Sequence, residues 1–204
     1  LVESYYNPKK VSPVIPEDLI SYIDYYIAQR EHEITKASIT KYNVIKHKME
    51  RLQAKRGHTI MISEIGEDFK KEIVNYYKSE NYSHNTVQRE LGLIKTFCKH
   101  AKSKGLDIHP ELLNLKLKKE RVKSIYLSYS ELQKVHDAIM EYEYQENARD
   151  WLIISCYTGQ RISDFMRFNS DMIRTENGKK LLEFKQQKTN KLMTIPLHPK
   201  VLTI

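Results

Sequence analysis

Apolar residues recur through the first half of the chain at the three- and four-residue spacing of amphipathic helices. Leu19, Ile20, Ile23, Tyr26 and Ile27 form such a stripe and predict a helix over roughly 17–32. A second helix is predicted over 36–56, closed by Gly57, and a third over 67–80, with Phe69, Ile73, Tyr76 and Tyr77 facing inward. The fourth spans 84–104 and is closed by Gly105; its Val87, Leu91, Ile94, Cys98 and Ala101 alternate steps of four and three, a core-facing stripe. Residues 1–16, with Pro8, Pro13 and Pro16, read as an extended lead-in.

After the fourth helix the pattern breaks at Ile108-His-Pro110, and Lys116 to Lys123 is rich in charge, so 106–127 reads as a linker. Ser128-Tyr-Ser-Glu131 has the spacing of a capping box and predicts a helix over about 129–146. Helices at 148–157 and from Ile162 to Phe168 follow. The period then shortens. Asp171 to Arg174, the Asn177-Gly178 pair and Lys180 to Phe184 predict a hairpin, and Leu192 to Ile195 predicts a third strand. The expected fold is mainly α with a small β portion. A four-helix domain at 17–105 is followed by a partial α+β unit at 128–204 with a three-stranded antiparallel sheet.

Charge separates the four helices. Between 35 and 56 there are seven Lys or Arg against one acid, and between 83 and 104 five against one. Residues 1–34 and 57–82 are both net acidic, so the formal net charge of +8 is concentrated in helices two and four. At about 100° per residue, Lys41, Lys48, Arg51 and Lys55 share one flank of helix two. Gln88, Lys95, Lys99 and Lys102 share one flank of helix four, beside its apolar stripe. If the flanks face one side they form a basic surface suited to a duplex backbone; singly, each is a solvated lysine face. At the start of helix four, Ser83 or Asn85 can cap the helix, and the same short polar side chains, with Thr86 and Arg89, can reach phosphates or base edges.

Cys98 and Cys156 both fall in apolar helical runs and are expected to be core residues rather than a disulfide. The eight histidines are scattered and no Cys/His cluster has zinc spacing, so no metal or other cofactor is expected. No apolar run approaches membrane-spanning length, so no membrane partner is expected. A reducing, cytoplasmic compartment is the expectation. The chain begins with Leu and ends without a cap or tail, which reads as an excised piece of a longer product.

The densest chemistry lies at Thr158-Gly-Gln-Arg-Ile-Ser-Asp164. Gly159 can end the preceding helix in a left-handed conformation. Arg161 then stands in the first turn of the next helix, where the helix dipole favours an anion and a guanidinium can grip a phosphate through two parallel bonds. Read locally, it is equally a surface arginine after a turn.

This stretch resembles the first arginine box of the tyrosine recombinases, the phage-integrase superfamily. Gln187-Lys188-Thr-Asn-Lys191 leading to Thr194-Ile-Pro-Leu197 is similar to that family's lysine hairpin, and Tyr126 to Leu132 resembles the entry to its catalytic domain. The segment 17–105 is similar to its SAM-like core-binding domain. Asn85-Thr86, Arg89, Phe97 and Ala101 before Gly105 match the last helix of that domain. The wording is nearest to integrases of Bacteroidetes-type mobile elements.

The resemblance implies a site-specific recombinase in which a tyrosine attacks a DNA phosphodiester and leaves a 3′-phosphotyrosyl link. It makes Arg161 the first of two arginines that stabilise phosphoryl charge, and Lys188, in preference to Lys191, the general acid toward the leaving 5′ oxygen. It makes Asp164 a support that holds the Arg161 guanidinium. Its implied partner is double-stranded DNA, in the bacterial nucleoid. The full-length protein is expected to be a tetramer on DNA and this piece a monomer. The family's second box, a His-x-x-Arg pattern, and its nucleophile have no match. His198-Pro-Lys-Val sits too close to the hairpin, and none of the 14 tyrosines occupies the nucleophile's place. The chain is therefore expected to bind DNA without cleaving it. The alternatives are a non-catalytic DNA-binding regulator or excision partner with the integrase fold, and a helical interaction domain with no nucleic-acid role.

Overall fold

The computed structural model describes residues 14–204, so most of the lead-in expected at 1–16 lies outside the described residues. The chain divides into two compact units, Leu1–Val122 and Lys123–Ile204. Among the described residues no helix is long and apolar enough to cross a membrane.

The first unit is built on α1 (Leu19–Gln29), α2 (Lys36–Arg56), α3 (Glu67–Ser79) and α4 (His84–Ser103). Side-chain oxygens open three of them: Asp18 accepts from Ser21 N, Thr35 from Ser38 N and Ser83 from Thr86 N. α2 ends on Gly57, whose φ of 77° is the left-handed stop that a residue without Cβ adopts freely. The entry to α1 is fixed to the α2–α3 connection, with Leu19 N donating to Ile60 O and Ile62 N to Glu17 O.

The predicted stripes of α3 and α4 are buried throughout, and they meet Leu19, Tyr22, Ile23 and Tyr26 of α1 and Ile45, Met49 and Leu52 of α2 in one core. Burial of each such side chain contributes about 1.5–3 kcal/mol. After α4 the chain runs back along the bundle through a 3-10 turn at Pro110–Leu113, and Leu112 and Leu115 enter the same core.

The second unit contains α5 (Tyr129–Asp137), α6 (Glu143–Thr158), α7 (Ile162–Phe165), β1 (Ile173–Glu176), β2 (Lys179–Lys185), β3 (Leu192–Pro196) and α8 (Pro199–Leu202). α5 opens with the expected capping box of Ser128 and Glu131. The helix expected to run to 146 stops at Asp137, and the next begins at Glu143 rather than 148. The break has a local cause: Gln145 Oε1 accepts from the amides of Glu141 and Tyr142, which starts a new helix there, and Arg149 Nη1 donates to Ala138 O. α7 is also shorter than the expected run to Phe168, ending at Phe165.

The sheet is antiparallel in the order β1-β2-β3. Asn177 and Gly178 join its first two strands with φ of 50° and 75°, both left-handed, as a tight hairpin turn requires. Leu182 and Phe184 alternate onto one face and are buried, with Phe184 packed 4.8 Å from Phe168, and Phe168 in turn 5.9 Å from Phe165. Leu132 and Ile153 are buried as well, while Ile125, Ile139, Trp151, Ile162 and Leu192 are exposed. Cys98 is buried as expected, but Cys156 is exposed: α6 buries Ile153 and Thr158 and turns the thiol outward.

Candidate nucleic-acid interface and phosphate site

Helix α6 ends at Gly159 with φ 64°, and Arg161 follows as the N-cap of α7 with an extended backbone. Arg161 is exposed. It therefore precedes the first turn of a four-residue helix instead of standing within the first turn of a longer one. Three residues after this cap, Asp164 is wholly buried. Its Oδ1 accepts from Gln187 N at 2.7 Å and from Arg167 Nη2 at 2.7 Å. The expectation that Asp164 holds the Arg161 guanidinium is corrected here. Arg161 is not among the hydrogen-bond partners of this carboxylate, whereas Arg167, three residues further on, reaches it directly. Arg161 contributes through its charge alone. The Gln187 amide foremost, then the Arg167 guanidinium and the Arg161 charge, hold the Asp164 carboxyl below the usual carboxylate range against the opposing effect of burial.

These contacts join the arginine-bearing segment to the hairpin loop. Arg167 Nη2 also donates to Lys185 O at 2.9 Å, and Gln186 Nε2 donates to Gln160 Oε1 at 3.2 Å. The loop closes on itself through Gln186 N to Lys191 O, Asn190 N to Gln186 O and Thr189 Oγ1 to Gln186 Oε1. Asn190 takes a left-handed φ of 57°, which asparagine tolerates better than most residues. Lys188 and Lys191 are both exposed on this closed turn. An exposed guanidinium and exposed ammonium groups are thus carried on two segments tied to one buried carboxylate.

In the first unit the expected basic residues separate into two groups. Lys41, Arg51, Lys55, Arg89, Lys99 and Lys102 are exposed. Arg51 donates to the Tyr76 and Tyr82 hydroxyls at 3.4 and 3.3 Å, and the Lys55 ammonium lies 5.7 Å from the centre of the Tyr76 ring. Gln88 and Thr86 are half-buried, and Thr86 N is taken by the Ser83 cap.

Two residues leave the expected interface. Lys48 is 6% exposed, donates to both oxygens of Glu90 at 2.9 Å and lies 4.0 Å from the centre of the Tyr82 ring. Its charge is neutralised inside the α2–α4 seam, so it is not a phosphate ligand. Tyr77 completes the cluster by donating to Glu90 Oε2 at 2.6 Å, and burial followed by Glu90 pushes its phenol far above the usual range. Asn85 is the second. Its Oδ1 accepts from Glu120 N at 2.9 Å and its Nδ2 donates to Glu120 O at 3.0 Å. That side chain imitates a β-ladder partner, with both its amide nitrogen and its oxygen engaged by the main chain. Lys95 is half-buried and donates to Leu113 O and Leu115 O.

Sequence reading missed Arg167, the Gln187 amide and the return of the 113–120 segment along α4. The spacing of Asp164 and Arg167 at i,i+3 is the one local signal for the first pair. The backbone amide and the returning segment have no such signature.

Residues 18–111, within the first unit, match the model of the Phage integrase SAM-like domain. Over both units the chain has the fold of tyrosine-recombinase integrases. It is similar to the Tn1549 transposon integrase, residues 82–397, in complex with circular intermediate DNA: the TM-score is 0.70 at 14% identity, over 92% of this chain and 63% of that one. It is also similar to lambda integrase, residues 75–356, as a dimer bound to a COC′ core site, with a TM-score of 0.61 at 19% identity over 88% of this chain and 62% of that one. The chain thus spans less than two thirds of either relative. No curated protein sequence matches it.

Proposed function

We propose that the protein is a tyrosine-type site-specific DNA recombinase, an integrase that cuts and rejoins duplex DNA through a 3′-phosphotyrosyl intermediate. The observation that carries this reading is the joining of Arg161's segment to Lys188's loop through Asp164. Two segments far apart in sequence, each carrying one of these exposed cations, are joined by one buried acid. In this reading residues 17–105 are the core-binding domain, 106–127 the connection and 128–204 the first part of the catalytic domain.

A tyrosine hydroxyl attacks the phosphorus, a P–O bond to tyrosine forms, and the bond to the 5′ oxygen breaks. Arg161 stabilises charge on the non-bridging oxygens, and Lys188 gives its proton to the departing 5′ oxygen. One phosphoester replaces another, so the bond energy is kept for rejoining. Asp164 is a positioning residue that fixes the hairpin bearing Lys188. In the first unit Lys41, Arg51, Lys55, Gln88, Arg89, Lys95, Lys99 and Lys102, with Thr86, form the surface that meets double-stranded DNA, and the recombinase assembles as a tetramer on paired sites.

These 204 residues carry the first arginine and the hairpin lysine but no tyrosine placed as nucleophile. On their own they bind a duplex without cutting it, as a monomer. Incubating the chain with a labelled duplex should give a complex that salt and detergent dissolve. A protein–DNA adduct surviving detergent denaturation would contradict this assignment of the nucleophile.

A further inference from the structure

Beyond the family-matched residues 18–111, the chain does not leave the first unit at once. The strap from Leu113 to Glu120 is clasped along α4 at three points. Lys95 Nζ donates to Leu113 O and Leu115 O, His84 Nε2 meets Lys118 O at 2.8 Å, and Asn85 bonds both backbone groups of Glu120. Leu115 is buried beneath it and Leu117 packs on the core. A groove of about 490 Å³ runs between α4 and this strap.

The groove's charges are all of one sign. Lys95 and Lys99 line it from α4, Lys116 and Lys118 from the strap, and Gln88 and Thr96 add neutral polar groups. No acid is among the described residues that line it. The acids flanking it in sequence are engaged elsewhere: Glu90 is buried against Lys48, and Glu120 points its carboxylate toward His84 at 3.8 Å. Burial first, then the charges of Lys99 and Lys116, push the Lys95 ammonium below its usual range, as expected where cations crowd without a counter-charge. A bound anion would relieve that crowding.

We propose that this groove is a binding channel for the phosphodiester backbone of duplex DNA, in which the strap supplies Lys116 and Lys118 and Asn85 is the positioning residue that holds them beside α4. It rests on the proposed DNA-binding function and adds a second strand of cations that the helical flanks alone do not contain. A two-point clasp to the main chain fixes the strap's register, and with it the side on which alternate lysines project.

The test is the affinity of the full chain for a short random-sequence duplex as a function of salt. Lys116→Gln with Lys118→Gln should weaken binding by about tenfold near 0.1 M salt and reduce the slope of log affinity against log salt by roughly two. Asn85→Ala keeps every lysine, yet should lose severalfold in affinity and expose the Glu120 amide to hydrogen exchange. Lys70→Gln with Lys71→Gln removes equal charge from α3, where each lysine is already paired with Glu67 or Asp68, and should change affinity less than about twofold. Unchanged affinity and slope in the strap variant, with the unaltered chain still binding, overturns the groove and leaves the proposed function standing. An equal loss in the α3 variant also overturns it, because net charge would then suffice. Unchanged affinity in Asn85→Ala overturns the positioning role. Failure of the unaltered chain to bind any duplex overturns both the groove and the proposed function.

Discussion

Asp164 accepts the backbone amide of Gln187 at 2.7 Å, across 23 positions of sequence. This one bond makes the hairpin loop an extension of the arginine-bearing segment, and the second bond of the same oxygen, from Arg167, ties in Lys185 as well. A buried carboxylate with such partners is costly to neutralise.

Asp164→Asn should therefore free the hairpin. The Gln187 amide should lose its protection from hydrogen exchange, and the second unit should melt at lower temperature, while the first unit is unaffected. The pH dependence has a defined sign. A carboxyl whose folded pKa lies below its unfolded value adds stability above the unfolded value, near 4, and that stability is lost as pH falls through the folded value. Thermal melts of the second unit should be flat from neutral pH to about 5 and decline in stronger acid, and Asp164→Asn should remove part of that decline.

The Lys48–Glu90 pair is a second buried acid–base contact, and its two halves are not interchangeable with solvent. Glu90→Ala leaves the Lys48 ammonium buried without a partner and should cost about 3–5 kcal/mol. Lys48→Met combined with Glu90→Leu should recover most of that loss, leaving Tyr77 to find a new acceptor. Chemical denaturation of the three variants checks this; equal destabilisation by the double and single variants would contradict it.

Gly66 packs against the His109 ring, where an added Cβ would come within 2.6 Å of the ring atoms. His109 Nδ1 accepts from Glu111 N and caps the turn that carries Leu112 into the core. Gly66→Ala should displace that cap and cost about 1–3 kcal/mol, read from denaturant midpoints. A neutral result would mean that the ring moves aside freely.

The two cysteines should differ sharply in reactivity. Cys98 is buried and its thiol is pushed up to about 12 by desolvation, whereas Cys156 is exposed. Alkylation of the native chain near neutral pH should stop at one group, on Cys156, and proceed to two after denaturation, as mass spectrometry will show.

Most of the helical unit was legible because its apolar stripes coincide with the buried faces: Val87, Leu91, Ile94, Cys98 and Ala101 of α4 are all in the core. The hairpin was legible because Asn177-Gly178 admits few other backbones. Other features required three dimensions. Glu90 lies three residues after Val87 and one before Leu91, on the core side of α4, so an acid there needed a cation; which cation depended on how α2 packs. Lys48 reads as part of a flank because it shares the helical angle of Lys41 and Lys55; those two are exposed, and only packing on α4 distinguishes Lys48. Asn85 was readable as a cap or a base reader, but its real partner is a main-chain segment 35 residues away. Of the proposed site residues, Arg161 and Lys188 are assigned by motif alone. The bonds that join their segments run through a backbone amide and a side-chain amide pair, for which no motif exists.

The proposed function is phosphate-led binding of duplex DNA by an integrase fold. Its most direct test is the affinity of the unaltered chain for a duplex measured across a range of salt. The account predicts that log affinity falls linearly with log salt, with a slope of roughly −0.9 for each phosphate engaged and several phosphates engaged in all. Affinity that is absent, or that does not change with salt, would contradict it.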